Sequence, residues 1–161
     1  MAQPGIRFLR GRHVRAPSPA FRIGNICDTR IIAMSATAIV IFAHGSSIES
    51  ANESVRRIAE SVSHEGGFDL VQTAFLEQGS PDLATAVAAL VGQGATRVIV
   101  VPYFLTLGIH LQRDLPRIIG GLARTHKGVE IRATPPLDGH PALRTILQER
   151  ARQALEAGRP N

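Results

Sequence analysis

The stretch TAIVIFAHGSS, residues 37–47, is the part of the sequence from which the fold can be worked out. It begins with apolar and β-branched residues, the composition of a strand that is buried on both faces of a sheet. It then continues into a histidine, a glycine and two serines, so the strand delivers His44 to its carboxyl end. The function of His44 depends on which other residues the fold brings to the same place.

Helix-like and strand-like segments alternate after this stretch. Ser46 and Glu49 have the spacing of a capping box and predict a helix that stops at the glycines of residues 65–67. Further strands are predicted over residues 68–77, 97–105 and within 128–137. The order βαβαβαβα, with strands 30-odd residues apart, predicts an α/β fold: an open parallel four-stranded sheet with helices on both faces.

Prolines help to place the remaining helices. Ser80 is predicted to cap the second helix, with Pro81 at its first position, where a missing N–H costs nothing. The third helix is predicted to begin around Gln112, so that Pro116 lies in its first turn. The last helix is predicted to begin near Pro141.

The net charge of +5 comes entirely from the first residues of the chain. Residues 1–33 contain six arginines and one acid, whereas residues 34–161 are neutral and lack the clustered cations of a nucleic-acid-binding face. We expect a basic extension over residues 1–33 and one α/β domain over residues 34–161. The extension is either disordered or untranslated, with initiation at Met34; its arginine-rich, acid-poor composition also fits a transit peptide, although it has few serines.

Other function classes are disfavoured by what the sequence lacks. No apolar run approaches the roughly 20 residues of a membrane-spanning helix, and no G-x-x-x-x-G-K-[ST] loop for ATP is present. Cys27 is the only cysteine, so the chain forms neither an internal disulfide nor a cysteine metal cluster. We therefore expect a cytoplasmic protein that uses no nucleotide and binds neither nucleic acid nor membranes.

Three residues that suit a metal ion follow three predicted strands. His44 follows the first, Glu77 closes the second and His110 lies in the loop after the third, at intervals of 33 residues. Ligands of open parallel sheets bind at the carboxyl ends of the strands, and a strand order of 2-1-3-4 would let His44 and His110 face one crevice. Two imidazoles and a carboxylate suit Fe²⁺, Co²⁺, Ni²⁺ or Zn²⁺ and leave a coordination position open.

Each of these residues also has an ordinary structural interpretation. His44 could be a hydrogen-bonded residue at a strand end, His110 a solvated loop residue, and Glu77 a turn cap or the partner of an arginine. His140 precedes Pro141 and is interpreted as a helix-start residue. The remaining histidines are interpreted as surface residues: His13, His64 and His126.

Four segments together resemble the CbiX/SirB family of sirohydrochlorin chelatases over about residues 39–154. They are VIFAHGSS, AFLEQGSPDL, GATRVIVVPYFLTLGIHLQRDLP and LDGHPALRTILQER. The most specific part is the pattern P-x-F-L-x-x-G-x-H-x-x-x-D-[IL]-P.

The resemblance implies insertion of Co²⁺ or Fe²⁺ into sirohydrochlorin, a step toward cobalamin or sirohaem; relatives insert nickel instead. By motif, it assigns metal binding and catalysis to His44, His110 and Glu77. The chain is similar to the short, single-unit form of the family, which pairs as a homodimer with C₂ symmetry.

One position departs from the family pattern. The family often has a cation after HGS, whereas this chain has Ser47. Other residues must then bind the carboxylates of the substrate, and we select Ser46 and Arg113. Arg113 can equally be interpreted as a solvated residue at the start of a helix.

Two further functions remain open on the sequence. A non-catalytic metal carrier or sensor with the same fold predicts metal affinity without turnover. A hydrolase with Ser46 as nucleophile is disfavoured because the G-x-S-x-G elbow is missing.

Overall fold

Four parallel strands form one sheet in the order β2-β1-β3-β4. The structure, a computed structural model, describes residues 36–106 and 108–158, with His110 defined by its backbone alone. The elements are β1 (Thr37–Ala43), α1 (Glu49–Gly66), β2 (Leu70–Phe75), α2 (Leu83–Gly92), β3 (Arg97–Pro102), α3 (Ile109–Thr125), β4 (Glu130–Ala133) and α4 (Pro141–Ala157). The predicted α/β fold is confirmed, and the strand order 2-1-3-4, considered above as a condition, is the one observed. The extension predicted over residues 1–33 lies outside the described residues.

Strand β1 lies in the middle of the sheet and is buried on both faces, as its composition predicts. It pairs in parallel with β2 on one side and β3 on the other. Val40 and Phe42 are almost fully buried on one face, while Ile39 and Ile41 are buried on the other. Alternate residues of one strand therefore enter two separate cores.

The larger core lies between the sheet and helices α2 and α3. It contains Leu83, Val87 and Leu90 of α2, and Leu115 and Leu122 of α3. The smaller core on the opposite face contains Val55 and Ala59 of α1. Burying one large apolar side chain contributes about 1.5–3 kcal/mol, so the α2–α3 face provides most of the hydrophobic stabilisation.

Helix α4 differs from the other helices because none of its residues is buried. Its large apolar side chains Ile146, Leu147 and Leu155 are 48%, 71% and 73% exposed. Ile99 and Val101 of β3, on the α1 face of the sheet, are only half-buried. One apolar helix face and part of one sheet face therefore remain open in the single chain.

The predicted starts of α1 and α2 are wrong. Helix α1 begins at Glu49, so Glu49 is its first residue and not the third helical residue that a capping box requires. The Ser46 hydroxyl instead accepts a hydrogen bond from the Ile48 N–H at 3.1 Å. Helix α2 is capped by Asp82 rather than Ser80, and the Asp82 carboxylate accepts from the Thr85 N–H at 2.7 Å. The helix begins later than predicted because the Pro81 carbonyl accepts a hydrogen bond from the Phe75 N–H of β2. Pro81 therefore lies before the helix and not in its first turn.

Helix α3 begins earlier than predicted, at Ile109, so His110 belongs to its first turn rather than to a loop. Pro116 is accommodated inside the helix instead of in the first turn. The helix start was misplaced because Gly108, in the N-cap position, has no side chain that could serve as a capping signal.

Strands β2 and β3 end earlier than predicted, at Phe75 and Pro102. Glu77 therefore lies just beyond its strand instead of closing it.

Among the described residues, no helix has the length and apolarity needed to cross a membrane.

Candidate functional site

His44 directly follows β1 at the carboxyl edge of the sheet, and its side chain is exposed. The ring of Phe104, which follows β3, lies 6.4 Å from the His44 ring between centroids and 5.7 Å from that of Phe42. The Tyr103 N–H donates to the Phe42 carbonyl at 2.7 Å, which holds the segment after β3 beside the end of β1. Strand β1 therefore presents His44 against an aromatic neighbour on a fixed backbone.

Glu77 lies beside His44 although 33 positions separate them in the sequence. The Leu76 N–H donates to the Ala43 carbonyl, and the Glu77 N–H donates to the His44 carbonyl, both at 2.9 Å. The β1–β2 pairing thus continues past the strands into the segments that carry the two functional candidates. Glu77 is exposed like His44, so both side chains are accessible to a ligand at this edge.

Gly45 makes this close approach possible. Its φ angle is +87°, and a Cβ atom placed on it would lie 1.8 Å from the Glu77 carbonyl oxygen. No side chain fits there without displacing the backbone of Glu77. The glycine in the HGS motif therefore sets the separation between the His44 and Glu77 segments.

Asn52, on α1, holds the same two segments together. Only 2% of this residue is exposed to solvent. Its Oδ1 accepts from the Ser46 N–H at 2.9 Å, and its Nδ2 donates to the carbonyls of Ser46 at 2.8 Å and Gln78 at 3.1 Å. One buried amide thereby joins the segment after β1 to the segment after β2. We classify Asn52 as a positioning residue that the sequence reasoning missed.

Gln78 shows that the backbone after Glu77 is constrained. It has a φ angle of +45°, which non-glycine residues adopt only rarely. Its carbonyl is the oxygen held by Asn52. Backbone of this kind clusters at binding and catalytic sites, where the surrounding contacts enforce it.

The charges nearest this edge on α1 are paired with one another. Arg56 forms ion pairs with Glu49 at 2.6 Å and Glu53 at 3.1 Å, and its guanidinium lies 5.6 Å from the centre of the Phe75 ring. The hydrogen bond from Arg56 holds the pKa of Glu49 below its ordinary value. Glu49 therefore stays ionised and engaged with Arg56.

His110 is the second residue of α3, in the turn that follows the segment after β3. Arg113 lies one turn further along the helix, is exposed, and forms no ion pair with any residue that the structure describes. The structure thus gives His110 and Arg113 a common helical support near the end of β3.

The structure brings together two of the three predicted metal ligands, His44 and Glu77, through their backbones. Among the described side chains, which exclude that of His110, no group of three His, Cys, Asp or Glu residues suits a metal ion. Full assembly of the three-ligand set therefore stays a prediction that rests on His110. His140 is confirmed as a helix-start residue, since its Nδ1 accepts from the Ala142 N–H at 3.2 Å.

Known proteins resemble this chain in sequence and in structure. A sirohydrochlorin cobaltochelatase from Methanocaldococcus jannaschii is 38% identical over 90 residues, which cover 56% of this chain and 63% of that protein. The crystal structure of a cobalamin-biosynthesis CbiX protein from Marinobacter aquaeolei superimposes with a TM-score of 0.67 at 33% identity, covering 76% of this chain and 99% of that one.

A third relative contains a metal ion. The structure of the sirohydrochlorin chelatase SirB from Bacillus subtilis subspecies spizizenii, in complex with cobalt, superimposes with a TM-score of 0.58 at 29% identity. The match covers 63% of this chain but 43% of SirB. The chain thus spans less than two thirds of the Methanocaldococcus protein and less than half of SirB.

The family model described as CbiX matches residues 38–154, which include all the described strands and helices except the first residue of β1 and the end of α4. His44, Gly45, Asn52 and Glu77 lie inside that match, in the arrangement described above. The chain therefore belongs to the CbiX family.

Proposed function

We propose that the chain inserts a divalent metal ion, Co²⁺ or Fe²⁺, into sirohydrochlorin without ATP, as a step toward cobalamin or sirohaem. The observation that carries this proposal is the hydrogen bond from the Glu77 N–H to the His44 carbonyl, because it holds the backbones of two candidate ligands next to each other at the sheet edge. The names of the relatives add support: one is a sirohydrochlorin cobaltochelatase and another a chelatase in complex with cobalt.

Metal insertion exchanges two pyrrolic protons of the macrocycle for one divalent ion. The site must therefore bind the ion, release it and accept two protons. An imidazole can either bind the ion or accept a proton near pH 7, because its unperturbed pKa is about 6.5. We assign ion binding to His44 and His110, one of which takes up a proton as the ion leaves, while Glu77 offsets the charge of the ion and accepts the second proton.

The exposed position of His44 and Glu77 suits a site through which an ion passes. A closed four-ligand cage would store the ion, whereas three protein ligands leave positions open for the macrocycle nitrogens. Co²⁺ and Fe²⁺ both accept imidazole and carboxylate ligands, so the ion used in the cell also depends on its availability.

The test is the rate of Co²⁺ insertion into sirohydrochlorin, followed by the change in the absorption spectrum of the tetrapyrrole. We expect His44→Ala and His110→Ala each to lower the rate at least about 100-fold, the typical contribution of one acid–base group. The matched control is His126→Ala, at the carboxyl end of α3. Normal rates in both site variants would overturn the proposal.

The same experiment separates a chelatase from a metal carrier. A carrier binds Co²⁺, measured by titration calorimetry, but leaves the insertion rate at the spontaneous background. Repeating the assay with Fe²⁺ and Ni²⁺ on the same tetrapyrrole ranks the three metals by their insertion rates.

Substrate carboxylates are assigned to Ser46 and Arg113. Arg113 is exposed on α3, three residues beyond His110, where its guanidinium is available for a carboxylate. The Ser46 hydroxyl accepts from the Ile48 N–H and can still donate its own proton. Arg113→Ala is expected to raise the KM for sirohydrochlorin and leave that for Co²⁺ unchanged.

A homodimer completes the proposal, with a second copy of the chain covering α4. The apolar stripe of α4 contains Leu143, Ile146, Leu147 and Ala154, with Arg150 among them, and the polar residues Thr145 and Arg152 lie on the other side of the helix. Two such stripes can cover each other in an isologous contact. The SirB chain, of which this chain covers 43%, fits an arrangement in which one long chain replaces two short ones.

Dimerisation is tested by the mass of the protein in solution, from sedimentation or light scattering. Leu147→Glu is expected to convert the dimer to a monomer, whereas Thr145→Glu, which adds the same charge on the polar side, leaves the dimer intact. A monomeric wild-type chain would overturn this part of the proposal.

We assign these activities to residues 34–161 and place the protein in the cytoplasm, where a single cysteine stays reduced. A chain that begins at Met34 is expected to insert Co²⁺ as fast as the full chain. A slower truncated chain would give residues 1–33 a role in the reaction.

A further inference from the structure

Strand β2 forms one edge of the sheet, and most of its outer side is open. Its last residue is covered, since the Phe75 N–H donates to the Pro81 carbonyl at 2.9 Å and Phe75 forms an isolated bridge with Asp82. Among the described residues, no further strand pairs with β2 on that side. An open edge strand presents unpaired N–H and C=O groups to any chain that can pair with them.

The open part of this edge is formed by Val71 and Thr73. Phe75 directs its N–H outward to Pro81, whereas the next residue, Leu76, directs its N–H inward to β1. Because neighbouring residues of a strand direct their backbone groups to opposite sides, Val71 and Thr73 share the outward direction of Phe75. Their outward N–H and C=O groups have no backbone partner in the part of the chain that the structure describes.

A groove of about 380 Å³ follows the open edge. One wall is β2 itself, at residues 71–73. The other wall is a stripe along α1, which contains Arg56, Ala59, Glu60, Ser63 and His64. Residues at this spacing lie on one side of a helix, so the groove extends along the strand, where an added strand would lie.

The unpaired charges beside the groove are acidic. Arg56 already forms two ion pairs with acidic residues of its own helix. Glu60 in the groove wall, and Glu65 and Asp69 near the turn from α1 to β2, are exposed and form no ion pair with any described residue. These carboxylates favour a ligand with basic side chains.

Gln72 adds a hydrogen-bond acceptor that the described residues do not use. It lines the groove, and its Oε1 is buried without a hydrogen-bond partner among them. Buried polar atoms in native proteins are nearly always paired, so this acceptor suits a donor that arrives with a ligand. The ammonium of a lysine side chain is such a donor.

The other edge of the sheet is protected against strand addition. Strand β4 contains Glu130 and Arg132, which form an ion pair with each other, and Pro135 and Pro136 follow it. Strand β2 has the sequence LVQTAF, with neither a charge nor a proline. Charged residues and prolines are the usual means by which proteins block edge strands, so β2 is the edge that remains available.

We propose that the β2 edge binds an extended peptide with basic side chains, which adds a fifth strand to the sheet and places those side chains in the groove beside Glu60. Neither His44 nor Glu77 lines the groove, and the inference does not depend on the proposed chelatase function. A second copy of the chain is a poorer occupant, because a two-fold contact between β2 strands would bring the acidic residues of both copies together.

The probe is the end-blocked peptide Lys-Val-Lys-Val-Lys-Val, titrated against the full chain. The direct readout is hydrogen exchange of single backbone amides, measured by NMR. On peptide binding, we expect the amides of Val71 and Thr73 to exchange at least about tenfold more slowly, because they gain partners. The same peptide with every backbone nitrogen methylated keeps its charge but cannot pair as a strand, so it should bind at least about tenfold more weakly.

Glu60→Lys tests the charge of the groove. The variant is expected to bind the unmodified peptide about tenfold more weakly than wild type does, with the rate of Co²⁺ insertion unchanged. The matched control is Glu149→Lys on α4, which reverses the same charge four residues beyond Thr145, on the polar side of that helix. Both glutamates are exposed, so both variants should fold like wild type.

Three results would overturn the inference. One is amide exchange at Val71 and Thr73 that the peptide does not slow, and another is equal affinity for the two peptides. The third is slow exchange of these amides in the protein alone, becoming slower as the protein concentration rises, because it would assign the edge to a second copy of the chain. A chain that failed to insert metal would leave all of these measurements unaffected.

Discussion

The Glu77 N–H donates to the His44 carbonyl at 2.9 Å, so the carboxylate and imidazole that the sequence assigns to a metal ion are carried by hydrogen-bonded backbone. The relative position of their two backbones is therefore set by a main-chain hydrogen bond. This contact lies directly beyond Ala43 and Phe75, the last paired residues of the two strands. Residues that maintain it are therefore expected to affect activity without touching the metal or the substrate.

Gly45→Ala is expected to lose both stability and activity. The new Cβ would overlap the Glu77 carbonyl oxygen, and the +87° φ angle strains any residue with a side chain. Strain of this type costs about 1–3 kcal/mol, and displacement of Glu77 adds to it. Chemical denaturation measures the loss in unfolding free energy, and the insertion assay measures the loss in kcat.

Gly92→Ala is the matched control for this substitution. Gly92 is helical, and a Cβ there would meet no atom within 4 Å. Alanine should therefore be neutral or stabilise by up to about 1 kcal/mol. Equal losses of stability in the two variants would contradict the role assigned to Gly45.

Asn52→Ala is expected to destabilise the protein by about 2 kcal/mol, because it leaves partly buried backbone groups of Ser46 and Gln78 without their amide partner. The insertion rate should fall with it, since Ser46 and Gln78 are no longer joined. Calorimetry and the Co²⁺ assay provide the two readouts. Ser54→Ala, which removes an exposed hydroxyl on the same helix, should change neither; a normal insertion rate in folded Asn52→Ala would exclude a positioning role.

The acid stability of the protein is expected to depend partly on Asp82. The hydrogen bond from the Thr85 N–H lowers the pKa of this carboxyl in the folded protein. A carboxyl with a lowered folded pKa stabilises the protein above its unfolded pKa, about 3.9, and loses that contribution as the pH falls through the folded pKa. Asp82→Asn keeps an acceptor for Thr85 but does not titrate there.

We therefore expect the melting temperature of Asp82→Asn to fall less steeply than that of wild type below about pH 5. Some acid sensitivity should remain, because hydrogen bonds from Arg56 and Arg97 lower the pKa of Glu49 and Glu130 in the same direction. Parallel curves for wild type and variant would show that the Asp82 cap does not contribute to acid unfolding.

The sheet could be predicted because its signals are local. The apolar run that forms β1 and the regular alternation of elements determine the layers without any long-range information. The helix starts were less predictable, since Gly108 gives no capping side chain and Pro81 remains bonded to β2. The sequence did not predict that α4 leaves its apolar side chains exposed. An amphipathic pattern shows that a helix has an apolar face, but it does not show which surface packs against that face.

The sequence predicts the candidate ligands of the site but not the residues that hold their backbones in position. Histidines and carboxylates at strand ends are evident in the sequence, whereas Asn52 is an ordinary helical residue until its partner Gln78, 26 positions away, is known. Gly45 stands in the HGS motif, but only the proximity of Glu77 explains why it must be glycine. Residues that act through contacts distant in sequence leave little local signal.

Glu77→Gln is expected to lower the rate of Co²⁺ insertion about 100-fold while leaving the fold intact. The amide keeps the size of the side chain and the backbone bond to His44, but it removes the negative charge and the proton acceptor. Co²⁺ affinity should weaken as well, because a neutral amide oxygen offsets less of the charge of the ion. Glu65→Gln, near the end of α1, is the control for loss of one exposed charge. If Glu77→Gln bound Co²⁺ and turned over like wild type, the carboxylate would have no part in the site, and the metal would have to be held by His44 and His110 without it.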